Sequence, residues 1–168
     1  MKRVISTPAV GFHYRLVLAG VLLYAGGAKF FEGGYAAQMA INAYKIFPPA
    51  WAPFLGHFLP GLEILLGILL LAGMFVRLTS LLTAILMTCF ILGIISVWVR
   101  GYSIDCGCFG GGGEVSAAGK TWRYSSEILR DLLFVGLAVR LAVWPSTPFA
   151  FENLGTRHTY SQESPEEQ

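Results

Sequence analysis

Two cysteines one residue apart stand in the string Asp105-Cys106-Gly107-Cys108-Phe109-Gly110. A Cys-x-Cys pair can close a disulfide, cycle between dithiol and disulfide, or hold a soft metal through its thiolates. Closing Cys106 onto Cys108 makes a very small ring. Residues two apart can meet the Cα separation of about 4.4–6.8 Å that a disulfide needs, but the intervening peptide is strained. Gly107 relieves part of that strain because it adopts conformations other residues avoid. A strained disulfide is more easily reduced, which suits thiol–disulfide exchange better than stapling. A structural bond is one alternative reading. Copper(I) binding is another, but no histidine lies close to the pair in sequence and the methionines are not clustered near it. The favoured reading therefore carries no metal.

The elements that position this pair are apolar. The 168-residue chain is 55% hydrophobic and 13% charged, with a mean hydropathy of +0.60. A soluble domain usually carries about 25% charged residues. Four apolar runs of about 20 residues account for the difference, and each can span a hydrocarbon core. They cover about 10–31, 54–75, 78–99 and 125–143. The fold expected is all-α, a polytopic membrane protein with a four-transmembrane-helix bundle over residues 1–144 and a polar, acidic, flexible tail over 145–168. Leu16 to Ala28 has the length of a signal-peptide core, but three further spans make a membrane-resident first helix the simpler reading. The stretch 32–53 reads as an interfacial loop, because the rings and the snorkelling lysine of Tyr44-Lys45-Ile46-Phe47-Pro48-Pro49 suit the headgroup level. A tight turn is expected at Arg77.

A net charge of +2 gives no argument for nucleic acid. No Walker-type, dinucleotide-binding or zinc-finger spacing is present. Four helices are few for a transporter, and no inverted repeat is visible in the sequence.

Four spans put both termini on one side of the membrane and the cysteine loop on the other. If Lys29 and Arg130 lie within the membrane, the remaining Lys and Arg residues tilt the balance to cytoplasmic termini. A disulfide persists outside the reducing cytosol, which agrees. The expected location is the cell (inner) membrane, with the loop periplasmic or extracellular.

Ionisable residues cluster toward the loop side. Lys29 closes the first span, Glu63 lies roughly 13 Å into the second, and Arg130 and Asp131 lie early in the fourth. Charges in a bilayer are costly, face the bundle interior and tend to pair. Lys29 and Arg130 are expected to offset Glu63 and Asp131 beneath the loop. Such a neighbourhood lowers a thiol pKa or relays protons during thiol oxidation. The plainer reading is a set of ion pairs that fix helix packing. Cys89, near the middle of the third span, reads as a small buried hydrophobe. Its alternative role is a relay thiol passing electrons toward a membrane quinone. His13 and His57 fall near opposite membrane faces, which disfavours a shared metal or haem.

Several strings together carry a resemblance: Gly26-Gly27-Ala28-Lys29-Phe30, Tyr44-Lys45-Ile46-Phe47-Pro48, Leu59-Pro60-Gly61-Leu62-Glu63 with Gly67, the Cys-Gly-Cys-Phe-Gly string, and Arg130-Asp131. From about Arg15 to Arg140 the chain resembles the methylamine-utilisation MauE family, within the wider DoxX-like group of four-helix membrane proteins. Asp131 departs from the Arg-Asn pattern expected there. The resemblance implies a membrane protein of periplasmic redox maturation. Its implied partners are the lipid bilayer, an exported thioredoxin-like protein and a secreted dehydrogenase client, with no nucleic acid. A membrane quinone is the electron acceptor the DoxX-like relatives suggest. The rival readings are a non-catalytic scaffold or assembly factor with a structural disulfide, and a quinone-linked DoxX-type oxidoreductase subunit.

If the pair rests as a disulfide outside the cytosol, Cys106 and Cys108 label with a membrane-impermeant maleimide in intact cells only after mild reduction. Complete labelling without reductant overturns that expectation.

Overall fold

In lipid a chain must satisfy its backbone hydrogen bonds internally, and a helix does so within one segment. A computed structural model describes residues 8–31, 33–105, 113–114 and 119–145, and most of these are helical. The helices are α1 (Pro8–Phe31), α2 (Tyr35–Tyr44), α3 (Ala52–Ala72), α4 (Val76–Val99) and α5 (Lys120–Val143). A 3₁₀ turn at Pro49–Trp51 leads into α3, and two short strands, β1 (Ile104–Asp105) and β2 (Gly113–Glu114), pair between α4 and α5.

Three helical stretches, Ala9–Phe31, Pro49–Ala72 and Val76–Val99, are long and apolar enough to cross a membrane. Their outward positions are large and hydrophobic: Phe54, Phe58, Leu65, Ile68, Leu78 and Ile85 are all exposed. In water that belt would be an aggregation surface; in a bilayer it is ordinary lipid contact. The interior holds many small or hydroxylated residues instead, among them Ala19, Thr79, Ser80, Thr83 and Ala138. The threonines do not leave hydroxyls stranded. Thr83 Oγ1 donates to the Thr79 carbonyl at 2.8 Å.

Helices α1 and α3 pack antiparallel at close range. A Cβ placed on Gly26 would lie 2.8 Å from the Pro60 carbonyl oxygen and 2.9 Å from Glu63 Cβ. One placed on Gly67 would lie 2.8 Å from Leu23 Cγ. At Gly26 the nearest obstacle is backbone, so nothing larger fits there, whereas at Gly67 it is chiefly the Leu23 side chain. Around this seam Leu18, Leu22, Leu66 and Leu70 form the core with Val76, Ala138 and Leu141.

The turn between α3 and α4 differs from the expected position. It lies at Gly73–Phe75, and Arg77 is already in the first turn of α4. The reason is local. Gly73 takes φ 71°, and the Met74 amide returns to the Leu69 carbonyl at 3.0 Å, a Schellman closure that ends α3.

A larger correction concerns 32–53. This stretch is not simply a loop, because Tyr35–Tyr44 is helical. Gly33 and Gly34, both at φ 69°, reverse the chain after α1. Ala37, Ala40, Ile41 and Ala43 then form a buried face, and the helix packs chiefly on α3. The aromatic ends of the segment masked an alanine pattern at helical spacing.

Helix α5 begins at Lys120, about five residues earlier than the expected span. It lies antiparallel to α4: Tyr124 and Ile128 pack with Ile94, Val97 and Trp98 at one end, and Ala138 and Leu141 meet Val76 and Ala84 at the other. It equals α4 in length at 24 residues but carries Lys120, Arg123, Glu127, Arg130, Asp131 and Arg140.

Gly26→Val should loosen the α1–α3 seam and lower the thermal midpoint in detergent, at a cost of about 1–3 kcal/mol for forced overpacking. Gly20→Ala, whose added Cβ meets nothing within 4 Å, should be neutral or slightly stabilising. Equal midpoints for the two variants would refute the close-approach account.

Candidate functional site

The glycine seam brings two opposite charges together inside the bundle. Lys29 lies in the last turn of α1, and Glu63 lies mid-α3, one turn beyond Pro60. Lys29 Nζ donates to both carboxylate oxygens of Glu63, at 2.7 and 2.8 Å. Both residues are buried, at 5% and 1% exposure. At that depth each charge depends on the other, since an isolated ion in an apolar medium carries a severe desolvation penalty.

Arg130 and Asp131 form a second pair on α5. Neighbours in a helix do not face each other, so the arginine folds back along the helix. Its Nε donates to Asp131 Oδ1 at 3.0 Å. Asp131 is buried at 2% exposure, and it also lies within electrostatic reach of Lys29. The four groups thus form two ion pairs, with the Lys29 ammonium acting on both carboxylates.

Cys106 and Cys108 lie outside the described residues, and so does the geometry of their sulfurs. The chain on either side of them is described. Ile104 pairs with Glu114 and Asp105 with Gly113, antiparallel, which brings together the two ends of segment 106–112. The buried Tyr124 of α5 holds β1 from below. Its hydroxyl accepts from the Ile104 amide at 2.8 Å and donates to the Tyr102 carbonyl at 3.1 Å. Lys120 Nζ donates to the Gly101 carbonyl at 3.0 Å. Arg100 completes the mount. It donates through Nη2 to the Tyr44 carbonyl at 2.6 Å and through Nε to the Ser96 carbonyl at 3.0 Å. Carbonyls at the end of α2, lacking helical partners, thereby gain a cationic donor. Lys45, at the strained φ of 51°, lays its ammonium over the Tyr102 ring at 4.6 Å.

Arg100, Tyr102, Lys120 and Tyr124 do not stand out as site residues in the sequence. The signal available was a cluster of aromatic and basic residues on both flanks of the cysteine string.

Cys89 corrects another expectation. It is not buried but exposed, with a free thiol. The inward stripe of α4 runs through Thr83, Met87, Ile91 and Ile94, and position 89 falls off it. Cys89 instead lines a cavity of about 470 Å³ between α2, α3 and α4. Lys29, Tyr44, Leu59 and Phe90 share its wall.

These features define a class: an α-helical, multi-pass membrane protein with a buried ion pair in its core. The chain matches the family described as methylamine utilisation protein MauE over residues 7–144. It belongs to that family. Comparisons with curated proteins and with solved structures return no match.

Lys29→Met leaves the Glu63 carboxylate buried without its partner and should destabilise the bundle by about 3–5 kcal/mol. The double change Lys29→Met with Glu63→Met removes both charges and should recover most of that loss. Thermal unfolding in detergent reads both. A double variant no more stable than the single would show that the pair does not act as a unit.

Proposed function

We propose that this protein is a membrane thiol–disulfide redox protein that supports oxidative maturation of exported proteins through Cys106 and Cys108. The observation that carries this reading is the mount. Hydrogen bonds from Arg100, Lys120 and Tyr124 fix the chain that flanks a Cys-Gly-Cys string to the ends of three helices. Exchange chemistry needs an accessible sulfur pair on a rigid support.

In the oxidising direction a client thiolate attacks one loop sulfur and forms a mixed disulfide. The second client thiolate then resolves it. The client gains an S–S bond, and the loop pair takes up two electrons and two protons as Cys106 and Cys108 thiols. An exported thioredoxin-like protein is the direct exchange partner in this reading, and a secreted dehydrogenase of the methylamine-oxidising type is the final client. The family's name supports that link to methylamine utilisation.

In this reading α5 is the fourth span, the termini are cytoplasmic, and the loop faces the periplasm or exterior of an inner-membrane protein. Support comes from the outward side of α5, where Leu129, Leu132, Leu133, Val139 and Val143 are exposed while Asp131 turns inward. The Lys29–Glu63 and Arg130–Asp131 pairs supply the electrostatic support beneath the loop and the proton donors and acceptors that thiol oxidation needs.

The double substitution Cys106→Ser with Cys108→Ser decides between this function and a scaffold. Insertion should be normal while disulfides in the client are lost, seen as a shift of the exported client from its oxidised to its reduced form by thiol-alkylation mobility. Full client oxidation with the serine variant would favour an assembly factor whose cysteines are structural. Metal co-purifying with the intact pair alone would favour copper handling.

A further inference from the structure

The cavity between α2, α3 and α4 is lined by apolar groups almost throughout. Ala37, Ala40 and Ile41 of α2, Leu59 of α3, and Leu86 and Phe90 of α4 are among its wall residues. Its rim includes the exposed Phe47, Cys89 and Leu92, so the cavity opens sideways, between helices. At about 470 Å³ it falls within the roughly 300–1,000 Å³ range of small-molecule sites.

The polar groups in its wall are few, and among the described residues the charged one is Lys29. Two of the three ammonium donors go to Glu63. Among the described residues the third has no hydrogen-bond acceptor, and the Phe90 ring lies 5.5 Å from Nζ. The charge itself is already balanced by Glu63. An anionic head would therefore bring an uncompensated charge into an apolar site. A neutral acceptor, such as a carbonyl oxygen, takes the spare donor without that penalty.

The cavity also abuts the loop mount. Tyr44 lines it and packs against the buried cluster that includes Val97, Ile104 and Tyr124. The Tyr44 carbonyl is the one that Arg100 holds at 2.6 Å.

We propose that this cavity binds a lipid-soluble quinone, with the ring between Tyr44, Leu59 and Phe90, one carbonyl oxygen on the Lys29 ammonium, and the isoprenoid tail leaving past Cys89 and Leu92 into the bilayer. This identity of the ligand rests on the redox function proposed above, which needs a two-electron acceptor soluble in lipid. The balance is simple. Cys106 and Cys108 thiols lose two protons and two electrons as the S–S bond forms, and the quinone takes both to become the quinol. Lys29 orients the acceptor, and the Lys29–Glu63 pair is a proton reservoir beside the bound oxygen.

The test uses the full chain in phosphatidylcholine nanodiscs with a decyl-tailed benzoquinone carrying a photoreactive azide. Irradiation should place crosslinks within residues 37–47 and 86–93. A tenfold excess of unlabelled decyl benzoquinone should reduce them at least fivefold, whereas palmitate should not. Ala40→Phe, which fills the cavity, should reduce crosslinking at least fivefold. The double change Lys29→Met with Glu63→Met keeps the interior neutral and should weaken quinone affinity about tenfold.

Crosslinks spread over all lipid-facing helices, or displaced equally by palmitate, would overturn the proposal and make the cavity a general lipid groove. Unchanged affinity in the double methionine variant would overturn the role of Lys29. Crosslinking needs no loop cysteine, so the serine double variant separates the two readings. Specific crosslinking with normal client oxidation in that variant refutes the thiol function and leaves the site standing. Normal client oxidation by the native chain without specific crosslinking refutes the site and leaves the thiol function.

Discussion

A charge inside hydrocarbon must be matched, and the bundle is arranged around one such match. The Lys29 ammonium and the Glu63 carboxylate meet at 2.7 Å with almost no exposure. That contact demands that α1 and α3 approach closely, which Gly26 and Gly67 allow. It also sets the rotation of both helices. With Lys29 turned inward, Leu18, Leu22 and Ala25 follow it into the core, and Phe30 and Phe31 are left outside. The leucine core contributes packing, but leucine packs against lipid nearly as well as against leucine. The buried pair and the small-residue seam therefore specify register where apolar contact alone would not.

The loop end of the bundle follows a different principle. There the helices stop and their terminal carbonyls need donors. Arg100 meets that need for the carbonyls of Tyr44 and Ser96, while Lys120 serves the Gly101 carbonyl just past α4 and Tyr124 serves the Ile104 amide and the Tyr102 carbonyl. One set of bonds thus closes helix ends and anchors β1. The cysteine string begins directly after that strand. Tyr44 belongs both to this mount and to the wall of the side cavity, so the two regions are packed as neighbours.

Membership of the MauE family fits this architecture. Reactive sulfur chemistry would sit on a short segment, and the membrane helices would supply the electrostatics and an apolar chamber for a lipid-borne partner. The same division of labour would hold if the segment served as a docking staple, because the mount would then present a surface in place of a reactive bond.

The amino-acid sequence by itself determined much of this protein. Apolar runs of membrane-spanning length follow from composition and periodicity alone, and the cysteine string, Lys29, Glu63, Arg130 and Asp131 stand out because such residues are conspicuous among leucines. Tertiary structure decided the rest. It alone paired Lys29 with Glu63 across 34 positions and Arg130 with its own neighbour, since a charge pattern names candidates but not partners. It turned Cys89 outward, because the inward stripe of α4 is set by what α5 and α3 present to it. It folded Tyr35–Tyr44 into a helix against α3, where burial of alanines outweighed the interfacial character of the flanking aromatics. Helices in lipid are specified locally by backbone hydrogen bonding; which of their faces meet is specified only by the packing of all of them together.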